Sequence, residues 1–187
     1  TLIFFISDNG GPTVHKYAFN ASDNSPLRGS KGTTLEAGIR VPFIVSWPGQ
    51  IASGGKYDEP VIQMDIFPTV LAAAGIDAKP EKRLDGVNLL PFLHGETSGS
   101  PHEALYWRSW GQMAIRRGNW KLVSYVAKMD EGELLRSDPR DEMTPLRLYN
   151  LKLDIGESQD LSQQEPQVAA ELLSLWNQWN DRMKPAL

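Results

Sequence analysis

Two short segments carry side chains whose types could do chemistry. Ser7-Asp8-Asn9-Gly10 follows the apolar run Leu2-Ile3-Phe4-Phe5-Ile6. If that run is a strand of an open α/β sheet, this segment sits at its carboxyl end, where ligands gather. Asp8 offers a carboxylate and Asn9 an amide oxygen there, hard donors of the kind that bind Ca²⁺ or Mg²⁺. The same residues are also ordinary turn chemistry, and on this segment alone both readings stand. A pair of donors does not complete a calcium site, which takes about six to eight oxygens, so further ligands must come from elsewhere. The second segment is Arg28-Gly29-Ser30-Lys31-Gly32-Thr33-Thr34. Its small residues let an ammonium group and backbone N–H groups approach an anion closely. It lacks the Gly-x-x-x-x-Gly-Lys-Ser/Thr spacing of a phosphate-binding loop, and an exposed loop lysine is the alternative.

The histidines are His15, His94 and His102, none paired at metal-ligand spacing, so a histidine zinc site is not expected. His15 stands in a polar stretch six residues past Asn9 and is within reach of a ligand held there; a solvated loop histidine is the competing reading. His94 and His102 flank a Gly/Ser/Pro-rich stretch and read as exposed. Glu36 and Arg40 have the spacing of a helical surface pair. Asn20-Ala21-Ser22 fits an N-glycosylation acceptor.

The elements that must position these residues fall into two patterns. Over residues 1–98 the apolar runs at 2–6 and 41–47 read as strands buried on both faces, as in parallel sheets. Between them lies a long Gly-dotted polar stretch. Asp65–Gly75 reads as a helix capped by Asp65, with Pro68 in its first turn, Gly75 at a left-handed end, and Ile66, Phe67, Val70, Leu71 and Ala74 on one face. Over residues 99–187 short alternating strands take over, at 104–109, 112–116, 119–126 and 146–151. Gly118-Asn119 forms a two-residue hairpin turn. Alternation at Met113, Ile115, Trp120 and Leu122 predicts one covered sheet face. Residues 130–144 read as a solvated loop, and Pro166 opens a final helix with Val168, Leu172, Trp176 and Trp179 at helical spacing. The tryptophans after residue 100 read as core anchors, with stacking on sugars as the other reading.

Composition narrows the function classes. The 187 residues carry 19 Lys+Arg against 23 Asp+Glu, a net charge of −4 without a basic block, which argues against a nucleic-acid partner. The longest apolar run is far short of the ~20 residues of a membrane span. With no cysteine, disulfides, thiolate metal sites and a cysteine nucleophile are excluded within these residues. Opening directly on a buried-type strand, the chain is expected to be the C-terminal part of a longer protein. The incomplete sheet beside residues 2–6 then leaves an edge that a second copy could cover in a homo-oligomer.

Taken in order, several segments resemble the sulfatase family. They are Ser7-Asp8-Asn9-Gly10-Gly11, Pro26-Leu27-Arg28-Gly29-Ser30-Lys31-Gly32-Thr33 and Glu36-Ala37-Gly38-Ile39-Arg40-Val41-Pro42. Trp47-Pro48-Gly49, Asp65-Ile66-Phe67-Pro68-Thr69, Asp85-Gly86, Ile115–Leu122 and Leu148-Tyr149-Asn150-Leu151 continue the likeness over nearly the whole chain. Ser30 and Ala37 depart from it, standing where glycine is common.

The resemblance implies the end of an alkaline-phosphatase-like α/β sheet layer, followed by a small four-stranded antiparallel sheet packed by a helix. It implies Asp8 and Asn9 as two ligands of a divalent cation, usually Ca²⁺, and Lys31 as the catalytic lysine that contacts the substrate's sulfate; His15 is a candidate for substrate binding by its position alone. The implied activity is hydrolysis of aryl or carbohydrate sulfate esters in a periplasmic or secreted setting. The family's nucleophile is a formylglycine formed from a Cys/Ser-x-Pro-x-Arg motif. That motif is absent here, so these residues alone are expected to be inactive. A phosphate or phosphonate monoester hydrolase on the same fold, and a non-catalytic glycan-binding or structural module, are the alternatives.

Overall fold

The computed structural model describes residues 1–13, 22–77, 84–130 and 143–183. His15, most of the glycosylation acceptor and nearly all of the expected solvated loop lie outside the described residues. In chain order the elements are β1 (Ile3–Ile6), α1 (Glu36–Ile39), β2 (Phe43–Ser46), α2 (Ile66–Ala73), α3 (Leu90–Leu93), β3 (Leu105–Ser109), β4 (Gln112–Arg117), β5 (Trp120–Ser124), α4 (Ala127–Asp130), β6 (Arg147–Asn150) and α5 (Pro166–Arg182). They form two compact units, each drawn from two stretches of the chain. The first combines Thr1–Ile6 with Phe43–Glu103, the second Ser7–Pro42 with Ala104–Leu187.

In the first unit β1 pairs with β2 antiparallel, Phe4 opposite Val45 and Phe5 opposite Ile44. The neighbour seen beside β1 is antiparallel, where the apolar run suggested a parallel one. Ile3, Phe5 and Ile44 share one exposed face, while Phe4 packs edge-on against Phe43 with ring centroids 6.2 Å apart on the other. An unbroken apolar run records that both faces are apolar, not which strand pairs with it or what covers each face.

Helix α2 ends as predicted. Gly75 has φ 70°, its N–H bonds the Ala72 carbonyl at 3.0 Å, and the Ile76 N–H reaches the Leu71 carbonyl at 2.9 Å, the paired bonds of a Schellman terminus. Its start and its buried face differ from expectation. Asp65 makes no side-chain cap on α2; its carboxylate instead accepts the N–H groups of Ile62 and Val87, each at 2.8 Å. The helix buries Pro68 and Thr69 and leaves Phe67 and Val70 exposed. The polar Thr69 belongs inside because its hydroxyl donates to the Asp65 carbonyl (2.6 Å) and accepts the Leu89 N–H (3.0 Å). Leu89, at the head of α3, is itself buried.

His102 also departs from expectation. Rather than being exposed, its Nε2 lies 2.9 and 3.0 Å from the two Asp65 carboxylate oxygens, and its side chain is only 9% exposed. His94 is exposed as expected, with Glu96 beside it at 3.5 Å.

The second unit is built on an antiparallel sheet in the order β3-β4-β5-β6. Gly118, with φ 56°, opens the β4–β5 turn as the sequence predicts. Both faces of this sheet are covered, where alternation suggested one. On one face Met113, Ile115, Leu122 and Leu148 pack against Leu172 of α5, with Val168 and Trp176 alongside. On the other, Ala114, Val123, Tyr125 and Tyr149 enclose Leu35 from the segment before α1. Tryptophans anchor this packing. Trp176 donates to the Trp107 carbonyl at 3.3 Å, and Trp179 stacks on Tyr106 at 5.1 Å. No helix among the described residues is long and apolar enough to cross a membrane.

Candidate functional site

The side-chain period of two along a strand gives the sheet face opposite α5 its polar members as well as its apolar ones. Gln112, Lys121 and Tyr125 point to the same side as Ala114 and Val123, and each holds part of the segment that contains Lys31. Gln112, fully buried, donates from Nε2 to the Gly32 carbonyl at 2.7 Å and accepts the Thr34 N–H on Oε1 at 3.3 Å. The Tyr125 hydroxyl accepts from Arg28 at 2.9 Å and from Arg147 at 3.0 Å, with both guanidinium carbons 5.6 Å from its ring centroid. Arg28 also donates to the Glu157 carbonyl at 2.8 Å.

Lys121 is the centre of a buried ionic group. Its Nζ donates to Glu36 Oε1 at 3.0 Å and lies 2.8 Å from Glu157 Oε1, a contact of charge rather than of hydrogen-bond alignment. Glu157 Oε2 accepts the Glu36 backbone N–H at 2.6 Å, so the first residue of α1 is held through both its main chain and its side chain. Glu36 is therefore no surface partner of Arg40. It is 2% exposed, and Arg40 touches it only from outside, at 3.4 Å. Burial works to raise the Glu36 carboxyl, but the charge and hydrogen bond of Lys121, helped by Arg116 and Arg40, outweigh it and hold the group below its ordinary range. For Glu157 burial prevails over Lys121 and, with the nearby Glu36 carboxylate, pushes the carboxyl up.

On this platform two loops meet through their backbones. The Gly10 N–H donates to the Gly38 carbonyl at 3.0 Å, and the Lys31 N–H to the Gly11 carbonyl at 3.3 Å. Asn24 completes the junction by accepting the Gly11 N–H at 3.2 Å and donating to the carbonyls of Gly11 (2.8 Å) and Gly29 (3.3 Å). Such close approach requires glycine. A Cβ on Gly10 would stand 1.5 Å from the Ala37 carbonyl oxygen, and one on Gly38 would stand 2.1 Å from that of Thr33. The loop around Lys31 is closed by Thr33, whose hydroxyl donates to the Ser30 carbonyl at 2.9 Å. Ser30 and Ala37, the departures from the family pattern, are both buried to 1% exposure. Their small side chains fit where these segments pack.

The segments of Asp8, Asn9 and Lys31 are thus brought together; His15 lies outside the described residues. Asp8 and Lys31 are exposed and Asn9 partly so. The Asn9 amide N–H donates to the Gly10 carbonyl at 2.9 Å, which leaves its side-chain oxygen as the atom to offer a cation. With the Asp8 carboxylate, this pair fits a hard cation in kind but not in number. Among the described residues no cluster of three His, Asp or Glu side chains is arranged to hold a metal. Asn24, Gln112, Lys121 and Glu157 carried no signal along the sequence, because their partners lie 5 to 121 positions away.

Residues 1–76 match the family model described as Sulfatase. Human (Homo sapiens) steryl-sulfatase is 41% identical over 109 residues, covering 57% of this chain and 19% of that protein. Arylsulfatase A of Bos taurus is 35% identical over 185 residues, covering 92% and 36%. Among solved structures, Ps i-CgsB superposes with a TM-score of 0.77 at 29% identity, over 100% of this chain and 38% of that one, and has also been solved in complex with k-i-k-neocarrahexaose. The chain spans 19% to 38% of the length of these proteins.

Proposed function

The chain belongs to the sulfatase family, and on that premise we propose that it supplies one wall of the active site of a sulfate-ester hydrolase acting on carbohydrate or aryl sulfates. The observation that carries this reading is the backbone junction at Gly10 and Gly11, which ties the Asp8-Asn9 segment to the Lys31 segment. One wall would then hold a cation and a positive side chain together, the requirement for stabilising negative charge as an ester S–O bond breaks. Asp8 and Asn9 would hold Ca²⁺, which when bound supplies positive charge to the oxygens of the ester. Lys31 would place its ammonium against a sulfate oxygen, where negative charge grows as the ester bond breaks. The sheet face beneath it keeps that charge in register through Gln112 and the Lys121 group.

The nucleophile, a formylglycine in this reading, belongs to residues outside these 187, as do the remaining cation ligands. The exposed apolar side chains of Ile3, Phe5, Ile44, Phe67 and Val70 support a chain that is part of a larger protein, and a periplasmic or secreted location belongs to the same proposal.

The test is made on the complete gene product carrying these residues. Calcium titration by calorimetry should lose most of its heat in Asp8→Ala. Lys31→Ala should weaken competitive inhibition by inorganic sulfate while leaving calcium binding in place. Faster turnover of phosphate than of sulfate monoesters would refute the assignment in favour of phosphoryl chemistry.

A further inference from the structure

We propose that Trp110 is a stacking platform for a carbohydrate ring of the sulfate ester, an inference that rests on the sulfatase reading above and names the substrate class of that site. Ser109 pairs with Gln112 across the β3–β4 hairpin, leaving Trp110 and Gly111 as a two-residue turn with φ 48° and 82°. Positive φ at both central residues is the pattern of a type I′ turn, which favours Asn, Asp or Gly at its first position. A bulky side chain there is a conformational outlier. The indole is also 66% exposed, unlike Trp107, Trp120 and Trp176, which pack on the sheet's two cores, and Trp179, which stacks on Tyr106. Turn geometry and solvation thus both disfavour tryptophan at this position. Strain of this kind points to function.

The position of the turn supplies the ligand. Gln112, which closes the hairpin, bonds the Gly32 carbonyl and the Thr34 N–H, so the turn is anchored on the residue that follows Lys31. Summing backbone and side-chain lengths along that path puts the Trp110 and Lys31 Cα atoms within roughly 20 Å. That limit is short enough for an oligosaccharide whose sulfate lies at Lys31 to reach the indole with a neighbouring ring. A sugar ring presents an apolar C–H face bordered by hydroxyls, matched by the apolar face and N–H edge of indole. Lys31 recognises the charge and Trp110 the ring.

The experiment compares wild type, Trp110→Asn and Trp110→Phe of the complete gene product. Calorimetry measures affinity for inorganic sulfate and for a panel of probes, namely k-i-k-neocarrahexaose, a chondroitin sulfate hexasaccharide and a heparin hexasaccharide. Asparagine suits φ 48°, so Trp110→Asn should keep or raise the melting temperature, which removes misfolding as an explanation. The expected result is that the best oligosaccharide binds wild type more tightly than sulfate does and loses about threefold to tenfold in Trp110→Asn. Trp110→Phe should retain most of that affinity, and inorganic sulfate should not change. Equal oligosaccharide affinity in wild type and Trp110→Asn, or no oligosaccharide better than inorganic sulfate, overturns the platform alone. Failure of inorganic sulfate itself to bind wild type overturns the sulfatase reading and the platform with it.

Discussion

Replacing Lys121 by methionine removes the one cation between two buried carboxylates at nearly constant volume. Nζ sits 3.0 Å from Glu36 and 2.8 Å from Glu157, and the three side chains are 0%, 2% and 0% exposed. At an effective dielectric of about 20, each contact at this distance is worth roughly 5 kcal/mol of attraction, set against several kcal/mol of desolvation per ion. Deleting one partner leaves the desolvation uncompensated, so the expected loss is about 3–5 kcal/mol at neutral pH. For a chain of this size that lowers Tm by roughly 6–20 °C.

The pH dependence separates charge from packing. In wild type the lowered Glu36 carboxyl contributes stability above the ordinary carboxyl range, and that stability is lost as pH falls through its folded pKa. The raised Glu157 carboxyl has the opposite sign: its contribution is complete below the ordinary range and lost as pH rises through its folded pKa. Without Lys121 both groups take the second behaviour, because protonation becomes the way to avoid a bare buried charge. The deficit of Lys121→Met should therefore be largest near pH 7–8 and shrink toward about pH 4. Thermal unfolding followed by near-ultraviolet circular dichroism across that range measures it. The triple variant Glu36→Gln/Lys121→Met/Glu157→Gln should recover most of the loss. A deficit that stays constant with pH would falsify the electrostatic account and leave a lost packing contact in its place.

Other perturbations test other parts of the structure. Gly10→Ala drives a Cβ into the Ala37 carbonyl and, if Asp8 and Asn9 hold calcium as proposed, should lower its affinity by about tenfold or more through the displaced loop; unchanged calorimetric affinity counts against the junction. Asp65→Ala strips the Ile62 and Val87 N–H groups of their acceptor and His102 of its partner. It should cost roughly 2–5 kcal/mol, seen as fast amide exchange at Ile62 and Val87. Leu172→Ala opens a hole between α5 and the sheet and should cost about 2–5 kcal/mol in denaturant midpoint analysis.

Much of the fold was legible because it is written in short-range signals. The hairpin at Gly118-Asn119, the left-handed end at Gly75 and the apolar spacing of α5 each depend on residues a few positions apart, and each is found where the sequence places it. What the sequence did not reveal was which charged groups lie inside: Glu36, Lys121, Glu157 and Asp65 are charged and buried. Residue type sets the cost of each environment. It does not name the distant partner that makes a charge tolerable inside.

The candidate site shows the same division, and the sheet explains why. Asp8, Asn9 and Lys31 stood out in the sequence as candidates because their segments resemble the sulfatase family, since by residue type alone they also read as a turn and an exposed loop lysine. Their register did not stand out. It depends on Gln112 and Lys121, which fall on the sheet face opposite α5 together with Ala114, Val123 and Tyr125. Along β4 and β5 this face reads as a polar residue set among apolar ones, the ordinary sign of a solvated side. It is covered because Leu35 fills its apolar half while Glu36 and the Gly32 and Thr34 backbone satisfy its polar half. A segment with little regular structure of its own thus acquires a fixed geometry from a sheet some eighty residues away in sequence. Substitutions at Gln112 or Lys121 should for that reason alter the Lys31 loop before they alter the sheet, since β4 and β5 keep their ladder and their α5 core without either side chain.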